Sequence, residues 1–515
     1  MAVDGEEAEK KQNNMVMLRS RDGMEFVVPE LEASQSLIIQ DNLKYDDANY
    51  IIPSDGDRTK YKPIRLAVQG NSLSKVIRYC HKHASGHHDP DWDTEFVTRL
   101  DNETLYDLIL ASHYLQIRQL IGLLCHPIAC KIKGKSPFEI CDIFSIKSVF
   151  TPESDEETIA QRSQHSCTSP RSLVGVPILP VEKPCLTELE LEEKALQALH
   201  VVRSQDFTKY DPKLNGFVCN RFNLCNVALF NHDEESNFCR GPPLHKIPSP
   251  MRDSIVRSCV NVISVKVQES DVGFPVNVFG TIVARDEVDY RCVYLFRRER
   301  DDPQLIRSQD DILSLIDPCR ALVPTDQIYF EFDLKIGCDG GATKDFSKGV
   351  VLFNRARLPT GKETAATNLW RISWLSRMEL SCALVYHPVE ATVAINILKG
   401  PCNLSKVYAS TPGNFKDHII MYEAAAAATQ TVLREGASVP LTRSVIAVSL
   451  DQKLALFFVG GDVFEHLVLA LGHSDEVIYR KMGSAQLEVK VTWTAVPRRQ
   501  RSGLFKRVGN QRLLL

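Results

Sequence analysis

The chain has 515 residues, of which 44% are hydrophobic and 24% are charged, and its formal net charge is -4. This composition is typical of folded globular proteins, and the length predicts at least two domains. The negative charge argues against a general nucleic-acid binder, because such proteins carry an excess of lysine and arginine. No apolar run reaches the roughly 18 residues that a membrane span requires, and the acidic start MAVDGEEAEKKQNN lacks the pattern of a secretory signal. We therefore expect a location inside the cell, with no membrane and no nucleic acid among the partners.

The cysteines favour reduced thiols, and the clustered histidines raise the question of a metal site. The 15 cysteines are scattered and include no CxxC pair, which argues against a disulfide framework and a structural zinc site. Histidines surround Cys80 in CHKHASGHHDP, where glycine and proline predict a loop; they are His81, His83, His87 and His88. We favour a solvated polar loop over a metal site there. No metal and no cofactor are expected.

The first 150 residues predict a small sheet followed by helices. Apolar stretches flank the turn signal Asp22-Gly23, which predicts a β-hairpin over residues 15–29. SLIIQDNL is a candidate short helix and IRLAVQ a further strand. Three helices then follow from apolar residues at helical spacing, with Asp101 as the cap of the second. Their apolar positions are Leu73, Val76, Ile77 and Cys80; Leu105, Leu108 and Ile109; Ile117, Leu120, Ile121, Leu124, Ile128 and Ile132.

Serine or threonine followed by a glutamate three residues later marks two further helix starts. Ser136 and Glu139 form one such capping box, with Pro137 at the first helical position. Thr187 and Glu190 form the second box, before a helix of about four turns. A third start is predicted at Thr151. Between them, residues 163–185 carry four prolines without periodicity and predict a linker.

From about residue 255 the pattern changes to short, valine-rich, often alternating strands separated by glycine, proline and aspartate turns. Such a pattern predicts an antiparallel sandwich-like or barrel-like domain. The fold class of the whole chain is therefore α+β. The five consecutive alanines at 424–428 favour helix inside this β neighbourhood, and the state of that stretch stays open.

The N-terminal third resembles the SKP family, the adaptors of SCF ubiquitin ligases. The resemblance runs through MLRSRDGMEFVVPE, LSKVIRYCHKH, WDTEFVTRLDNETLYDLILASHYLQI and IACKIKGKSPFEICDIFSIKSVFTPE, in the family's order and spacing. It implies a BTB/POZ-like fold with C-terminal helices that form a platform for F-box proteins. The matching platform positions are Lys133, Gly134, Lys135, Pro137, Ile140, Phe144, Ile146 and Phe150. For Ile140, Phe144 and Ile146 a purely structural role in the core is an equal alternative.

On the cullin side of the resemblance, Tyr114 matches the family's alanine-asparagine-tyrosine-leucine segment, whereas His113 replaces its asparagine. This exchange predicts cullin binding that is several-fold weaker, not abolished. Pro127 falls inside a predicted helix, where proline removes a hydrogen bond and can displace the platform. The family's terminal asparagine-glutamine-tryptophan helix is absent, since residues 162–167 read RSQHSC. Both departures predict weaker or more selective F-box binding.

The C-terminal part resembles an uncharacterised domain of cereal-plant proteins through VFGTIVARDEVDYRCVYLFRRERDDPQLI, IYFEFDLKI and LEVKVTWTAV. That domain has no activity to transfer. The chain contains no GxSxG, GxxxxGK[ST] or HExxH motif. Cys382 and His387 should point to opposite faces of a strand, and Glu423 lacks the arginine three residues later that ribosome-inactivating N-glycosidases carry. We expect no enzyme and no catalytic residue.

The predicted organisation combines an adaptor with a β-rich domain. Its segments are a disordered N-terminus at 1–14, an SKP-like domain at 15–162, a linker at 163–185, a helix and irregular connector at 186–254, a β-rich domain at 255–497 and a basic tail at 498–515. The predicted function is an SCF adaptor that bridges F-box proteins and a cullin, in the nucleus and cytoplasm. The tail is a nuclear-localisation patch or a solvated terminus. The alternative is a diverged non-ligase protein whose β domain recognises a defence or carbohydrate ligand.

Overall fold

The computed structural model describes residues 14–45, 50–52, 62–84, 86, 89–147, 187–223, 226–237, 241–246, 258–324, 327–338, 341–357, 366–410, 418–424, 432–461, 463–471 and 475–496. Several predicted features lie outside these residues: segment 1–13, the helix start at Thr151, the linker at 163–185 and the tail at 498–515, together with His87, His88 and Phe150. The chain divides into two compact units. Of the described residues, the first contains those up to Gln205 and the short segment 226–230, and the second contains 206–223 and 231–496 with the gaps given above.

The first unit begins with a small sheet around the predicted hairpin. Its strands are β1 (Met15–Arg19), β2 (Glu25–Pro29), β3 (Ile51–Ile52) and β4 (Ile64–Arg65). β1 pairs antiparallel with β2 and β3 and parallel with β4, so the hairpin prediction is confirmed. The turn is closed by Asp22, whose Oδ1 accepts hydrogen bonds from the Ser20 hydroxyl at 2.6 Å and the Gly70 N–H at 2.8 Å. The strand predicted in IRLAVQ is only two residues long.

Eight helices of the described first unit pack against this sheet and against one another. They are α1 (Glu30–Ala33), α2 (Leu37–Tyr45), α3 (Gly70–His83), α4 (Pro90–Thr98), α5 (Asn102–Leu115), α6 (Arg118–Ile132), α7 (Pro137–Ile143) and α8 (Glu188–Ser204). The predicted helical faces form the core: Leu108, Ile109, Leu120 and Leu124 are fully buried. Ile77 and Ile121 are only partly buried at its edge.

Local sequence signals set the helix ends as predicted. Asp101 caps α5 by accepting the Thr104 N–H at 2.7 Å, since the first turn of a helix leaves its amides without partners. α6 runs through Pro127 to Ile132, and Ile128, the next residue, is buried. The proline therefore does not end the helix. His81 and His83 lie in the last turn of α3 and not in the predicted loop.

The second unit consists mainly of antiparallel strands. They are β5 (Thr208–Asp211), β6 (Gly216–Cys219), β7 (Ser258–Ser270), β8 (Val276–Arg285), β9 (Val293–Arg298), β10 (Gln304–Ile306), β11 (Gln327–Gly337), β12 (Thr343–Asn354), β13 (Thr367–Ser373), β14 (Ser376–Tyr386), β15 (Pro388–Lys399), β16 (Lys406–Ser410), β17 (Ile419–Glu423), β18 (Val445–Ser449), β19 (Leu454–Gly460), β20 (Val463–Leu469), β21 (Glu476–Met482) and β22 (Ala485–Ala495). The mainly antiparallel β class is confirmed.

These strands form separate open sheets. Their orders are β10-β8-β11-β12 with β9 beside β8, β13-β14-β7, β18-β15-β22-β21, β17-β16-β19-β20 and the hairpin β5-β6. Within the described strands none of these sheets closes into a barrel, so the barrel-like alternative is wrong. One apolar cluster surrounds Phe330, Phe332 and Phe346, and another surrounds Phe458 and Trp493. Alternation along long strands such as β15 supplies the buried side chains.

No helix among the described residues has the length and apolarity needed to cross a bilayer. The eleven cysteines in the described part of the chain are all free thiols, and most are buried.

Candidate partner-binding surfaces

The helix α7 is fixed at its start by the predicted capping box. The Ser136 N–H donates to Glu139 Oε2 at 2.8 Å, and the Glu139 N–H donates back to Ser136 Oγ at 3.3 Å. Hydrogen bonds from the Ser136 backbone, the Lys135 ammonium and the Ser136 hydroxyl lower the pKa of Glu139 to about 2. The Glu139 carboxylate is thus ionised at neutral pH and accepts hydrogen bonds from the two residues that precede α7.

The predicted platform residues separate into surface and core. Lys133, Gly134 and Lys135 are exposed on the loop between α6 and α7, and Pro137 is half-buried. Gly134 has φ +72°, a left-handed conformation that suits glycine at a helix end.

The apolar members of the set point inward. Ile140 is 0% exposed, Ile146 is 4% exposed, and the part-buried ring of Phe144 lies 6.4 Å from that of Tyr106. These three side chains fit the structural alternative, because they anchor α7 to the core. A role of the platform set in F-box binding stays a prediction.

Two large apolar side chains of α7 that were missing from the predicted set face outward. Phe138 is 65% exposed and Ile143 is 44% exposed, on the side of the helix opposite the buried Ile140 and Cys141. A helix that carries apolar residues all round indicates a second contact surface. That signal was present in the sequence PFEICDIF.

On the predicted cullin side, His113 and Tyr114 lie in the last turn of α5. Tyr114 is 39% exposed, whereas His113 is half-buried. Burial lowers the pKa of the His113 imidazole, so this side chain is neutral at pH 7. The two neighbouring residues therefore differ in accessibility, and Tyr114 offers the larger contact surface.

Helix α8, which the sequence analysis assigned to a connector, packs into the core of the first unit. Its face of Ala195, Ala198, Leu199 and Val202 is buried with α5 and α6. The buried Glu192 carboxylate accepts the Lys147 N–H at 3.1 Å, and the Lys147 ammonium pairs with Glu188.

Polar contacts continue along α8 toward its end. The Lys194 ammonium lies 2.7 Å from Asp107 Oδ1 and 3.8 Å from Glu103 Oε1, both on α5. His200 Nδ1 accepts the Val227 N–H at 3.0 Å, which leaves the proton of the neutral ring on Nε2. Burial and then the nearby His113 lower the pKa of His200 to about 4. α8 therefore docks through a neutral histidine.

The segment 226–230 is hydrogen-bonded to α8. The Asn226 amide donates to the Leu196 carbonyl at 3.2 Å, and Arg203 Nη1 donates to the Phe230 carbonyl at 3.1 Å. Ala228 and Leu229 are buried in the same core. This short segment and α8 form one docked element.

Two histidines of the predicted cluster lie within hydrogen-bond distance of carboxylates. His81 Nδ1 lies 2.7 Å from Glu32 Oε1, and His83 Nε2 lies 2.8 Å from Asp93 Oδ1. No group of three or more metal-ligating side chains occurs among the residues that the structure describes.

Three ionisable side chains of the second unit are buried or paired with neighbouring groups. Cys382 is fully buried, and burial raises the pKa of its thiol. Glu423 lies on strand β17, 3.2 Å from the Lys406 ammonium. The buried Arg320 donates to Asp286 Oδ1 at 2.8 Å, and the Val323 N–H donates to Asp286 Oδ2 at 2.7 Å. Arg320, Asp286 and Val323 lie outside the strands, so the buried pair ties two loops together.

Comparison with known proteins identifies both parts of the chain. Residues 118–165, which begin with α6 and α7, match the profile of the Skp1 family, dimerisation domain. Over 181 residues the chain is 38% identical to SKP1-like protein 1 of Oryza sativa subsp. japonica, covering 94% of that protein and 30% of this chain. The chain belongs to the Skp1 family. The SKP resemblance is thereby confirmed.

Two further relatives of this Skp1 family member come from Arabidopsis thaliana. SKP1-like protein 11 is 38% identical over 160 residues, with 96% of its length covered, and SKP1-like protein 15 is 33% identical over 171 residues, with 90% covered. Residues 259–489 match a domain of unknown function (DUF6598), consistent with a fusion. Skp1 family members are non-catalytic adaptors, whereas the fused domain is uncharacterised.

Proposed function

We propose that this chain is an SKP-like adaptor of an SCF ubiquitin ligase, in which it bridges a cullin and F-box proteins. Family membership supports the adaptor class. The observation that carries the finer proposal is the surface of α7, where Phe138 and Ile143 are exposed beside the cationic loop of Lys133 and Lys135. An adaptor binds through a few apolar anchors surrounded by polar groups.

The α7 surface is suited to protein binding because it is rigid before a partner arrives. The capping box and the buried Ile140 hold the helix in place, so little conformational freedom is lost when a partner binds. The Lys135 ammonium, 2.9 Å from Glu139, lies at the polar rim of the same surface.

We assign the cullin contact to the end of α5, with Tyr114 as its main exposed side chain and His113 in a secondary role. A half-buried neutral histidine offers less surface than an exposed polar residue. This arrangement supports cullin binding that is weaker than in relatives with an asparagine at that position.

In this proposal the chain transfers no ubiquitin itself and acts as a scaffold for other subunits of the ligase. The β-rich unit then recruits or positions a partner. We propose a nuclear and cytoplasmic location, which fractionation of cells expressing the tagged full chain would check.

A pull-down of the full chain against a cullin N-terminal fragment and a panel of F-box peptides tests the proposal. We expect a ternary complex, at least about tenfold weaker F-box binding by Ile143→Asp, and unchanged binding by Leu37→Asp, an exposed leucine of α2. Tyr114→Ala should weaken the cullin contact alone. If the wild-type chain and these variants bind neither cullin nor any F-box peptide, the ligase role is wrong and a diverged binding protein is the better description.

A further inference from the structure

Helix α8 has one buried apolar face and one exposed face. Ala195, Ala198 and Leu199 are at most 1% exposed, whereas Leu189 is 70% exposed and Gln197 is also on the surface. At 1.5 Å per residue its 17 residues extend about 25 Å. The buried face packs with α5 and α6, so these two helices provide a surface that accepts an amphipathic helix.

The two ends of α8 lie next to residues of the two sets that the resemblance assigns to partners. At its N-terminal end, Glu188 and Glu192 bind Lys147, which directly follows the buried Ile146 of the platform set. Near its C-terminal end, the charge of His113 contributes to the lowered pKa of His200. A single helix therefore lies beside both predicted sets of residues.

We propose that α8 is a resident helical ligand of the α5–α6 surface and competes in cis with the helices of F-box-type partners. This inference rests on the proposed function and adds a regulatory step to it. An F-box protein must displace α8, together with the segment 226–230, before it occupies the platform fully. Partner selectivity then depends on how tightly each F-box helix binds relative to α8.

Competition in cis is effective because α8 belongs to the same chain. An intramolecular ligand acts at an effective concentration on the order of 1 mM for a short tether, and at a lower one for a longer tether. The contacts that hold α8 combine a buried apolar face, which includes Ala198 and Leu199, with part-exposed ion pairs such as Lys194 with Asp107, whose side chains are each 27% exposed. Ion pairs of this kind contribute little to stability. A partner that supplies large apolar anchors has the means to replace it.

The decisive experiment compares two arginine substitutions in the full chain. Ala198→Arg places a charged side chain at a position with 0% exposure and should undock α8, whereas Gln197→Arg places the same side chain on the exposed face. Binding of each F-box peptide of the panel is measured by fluorescence anisotropy. We expect Ala198→Arg to tighten binding about tenfold or more, and Gln197→Arg to stay within about twofold of wild type.

A charge swap keeps the test valid if Ala198→Arg fails to fold. Lys194→Glu repels Asp107 and Glu103 and should tighten F-box binding several-fold, and adding Asp107→Lys should restore wild-type affinity. Misfolding would not be reversed in this way. Hydrogen exchange of residues 188–204 should rise in Lys194→Glu and on addition of an F-box peptide.

The outcomes separate this inference from the proposed function. If wild type, Ala198→Arg and Lys194→Glu bind F-box peptides equally, the adaptor role stands and cis competition is wrong. Weaker binding by folded variants would overturn it as well, since α8 would then be part of the binding surface. If none of them binds any F-box peptide, both proposals fail.

Discussion

Helices α7 and α8 start with the same local structure and end in different roles. In α7 the Ser136 N–H reaches Glu139 at 2.8 Å, and in α8 the Thr187 N–H reaches Glu190 at 2.9 Å; the return hydrogen bond is 3.3 Å in both. Beyond the cap the helices diverge, because α7 exposes Ile143 whereas α8 buries Leu199. The capping motif thus sets where a helix starts, and the tertiary partner decides which face remains available.

The largest expected effect is the loss of stability when a buried side chain of α8 is truncated. Truncation of an exposed side chain of α7 is the matched comparison. Leu199→Ala in α8 removes a side chain with 0% exposure and should lower the free energy of unfolding of the first unit by about 2–5 kcal/mol. Ile143→Ala in α7 removes a side chain that is 44% exposed and should stay within about 0.5 kcal/mol of wild type. Hydrogen exchange of α5 amides measures both.

A small effect of Leu199→Ala would contradict the core position of α8. If α5 amides in that variant remain as protected as in wild type, α8 contributes little to the unit. A large loss of protection in Ile143→Ala would show instead that the exposed face of α7 is packed in solution.

The next effect is a pH dependence of α8 docking, carried mainly by His200. The pKa of His200 is lowered from 6.5 to about 4 by burial and by His113, so the folded unit binds this proton less readily than the unfolded chain. The stabilising contribution of the neutral ring is complete above pH 6.5 and declines as the pH falls toward 4. The expected loss is roughly 3 kcal/mol. His113, whose pKa is also lowered by burial, acts in the same direction.

Hydrogen exchange of residues 188–204 between pH 7 and pH 4, corrected for the intrinsic exchange rate, measures this loss. The control is His200→Gln, which keeps an acceptor for the Val227 N–H but no titrating ring. Its α8 should lose protection less steeply than that of wild type. Equal slopes in the two proteins would exclude His200 as the group responsible.

The features that could be predicted from the sequence are those that depend on residues close together in the chain. The hairpin at Asp22-Gly23, the caps at Asp101, Ser136 and Thr187, and the strands with strict alternation were all predictable because turn and capping preferences act over three or four residues. Strands β13, β20 and β21 show this alternation less clearly. Their outward residues include Trp370, Phe464 and Tyr479, so large apolar side chains on the exposed face obscure the alternation expected of a half-buried strand.

The candidate surfaces were less predictable from the sequence than the elements that carry them. The resemblance pointed to α7 and the loop before it, and burial divides the platform residues into the exposed Lys133 and Lys135 and the internal Ile140 and Ile146. The docking of α8 on α5 and α6 was not predicted. An apolar helical face indicates that another element packs against it, but it does not identify that element. Lys194 lies between Glu190 and His200 in the sequence. Nothing in this stretch indicates that the ion-pair partners of Lys194 lie on α5.

The smallest effect tests whether the two caps are energetically equal. Ser136→Ala and Thr187→Ala each remove a side-chain acceptor for a first-turn amide and should each cost about 1 kcal/mol locally, seen as roughly fivefold faster exchange in the first turn of the helix concerned. If α8 opens as one docked element, Thr187→Ala should also accelerate exchange along residues 188–204. Ser136→Ala should act on α7 alone, because Ile140 anchors that helix independently. Equal and strictly local effects would show that the start of α8 frays without undocking its buried face.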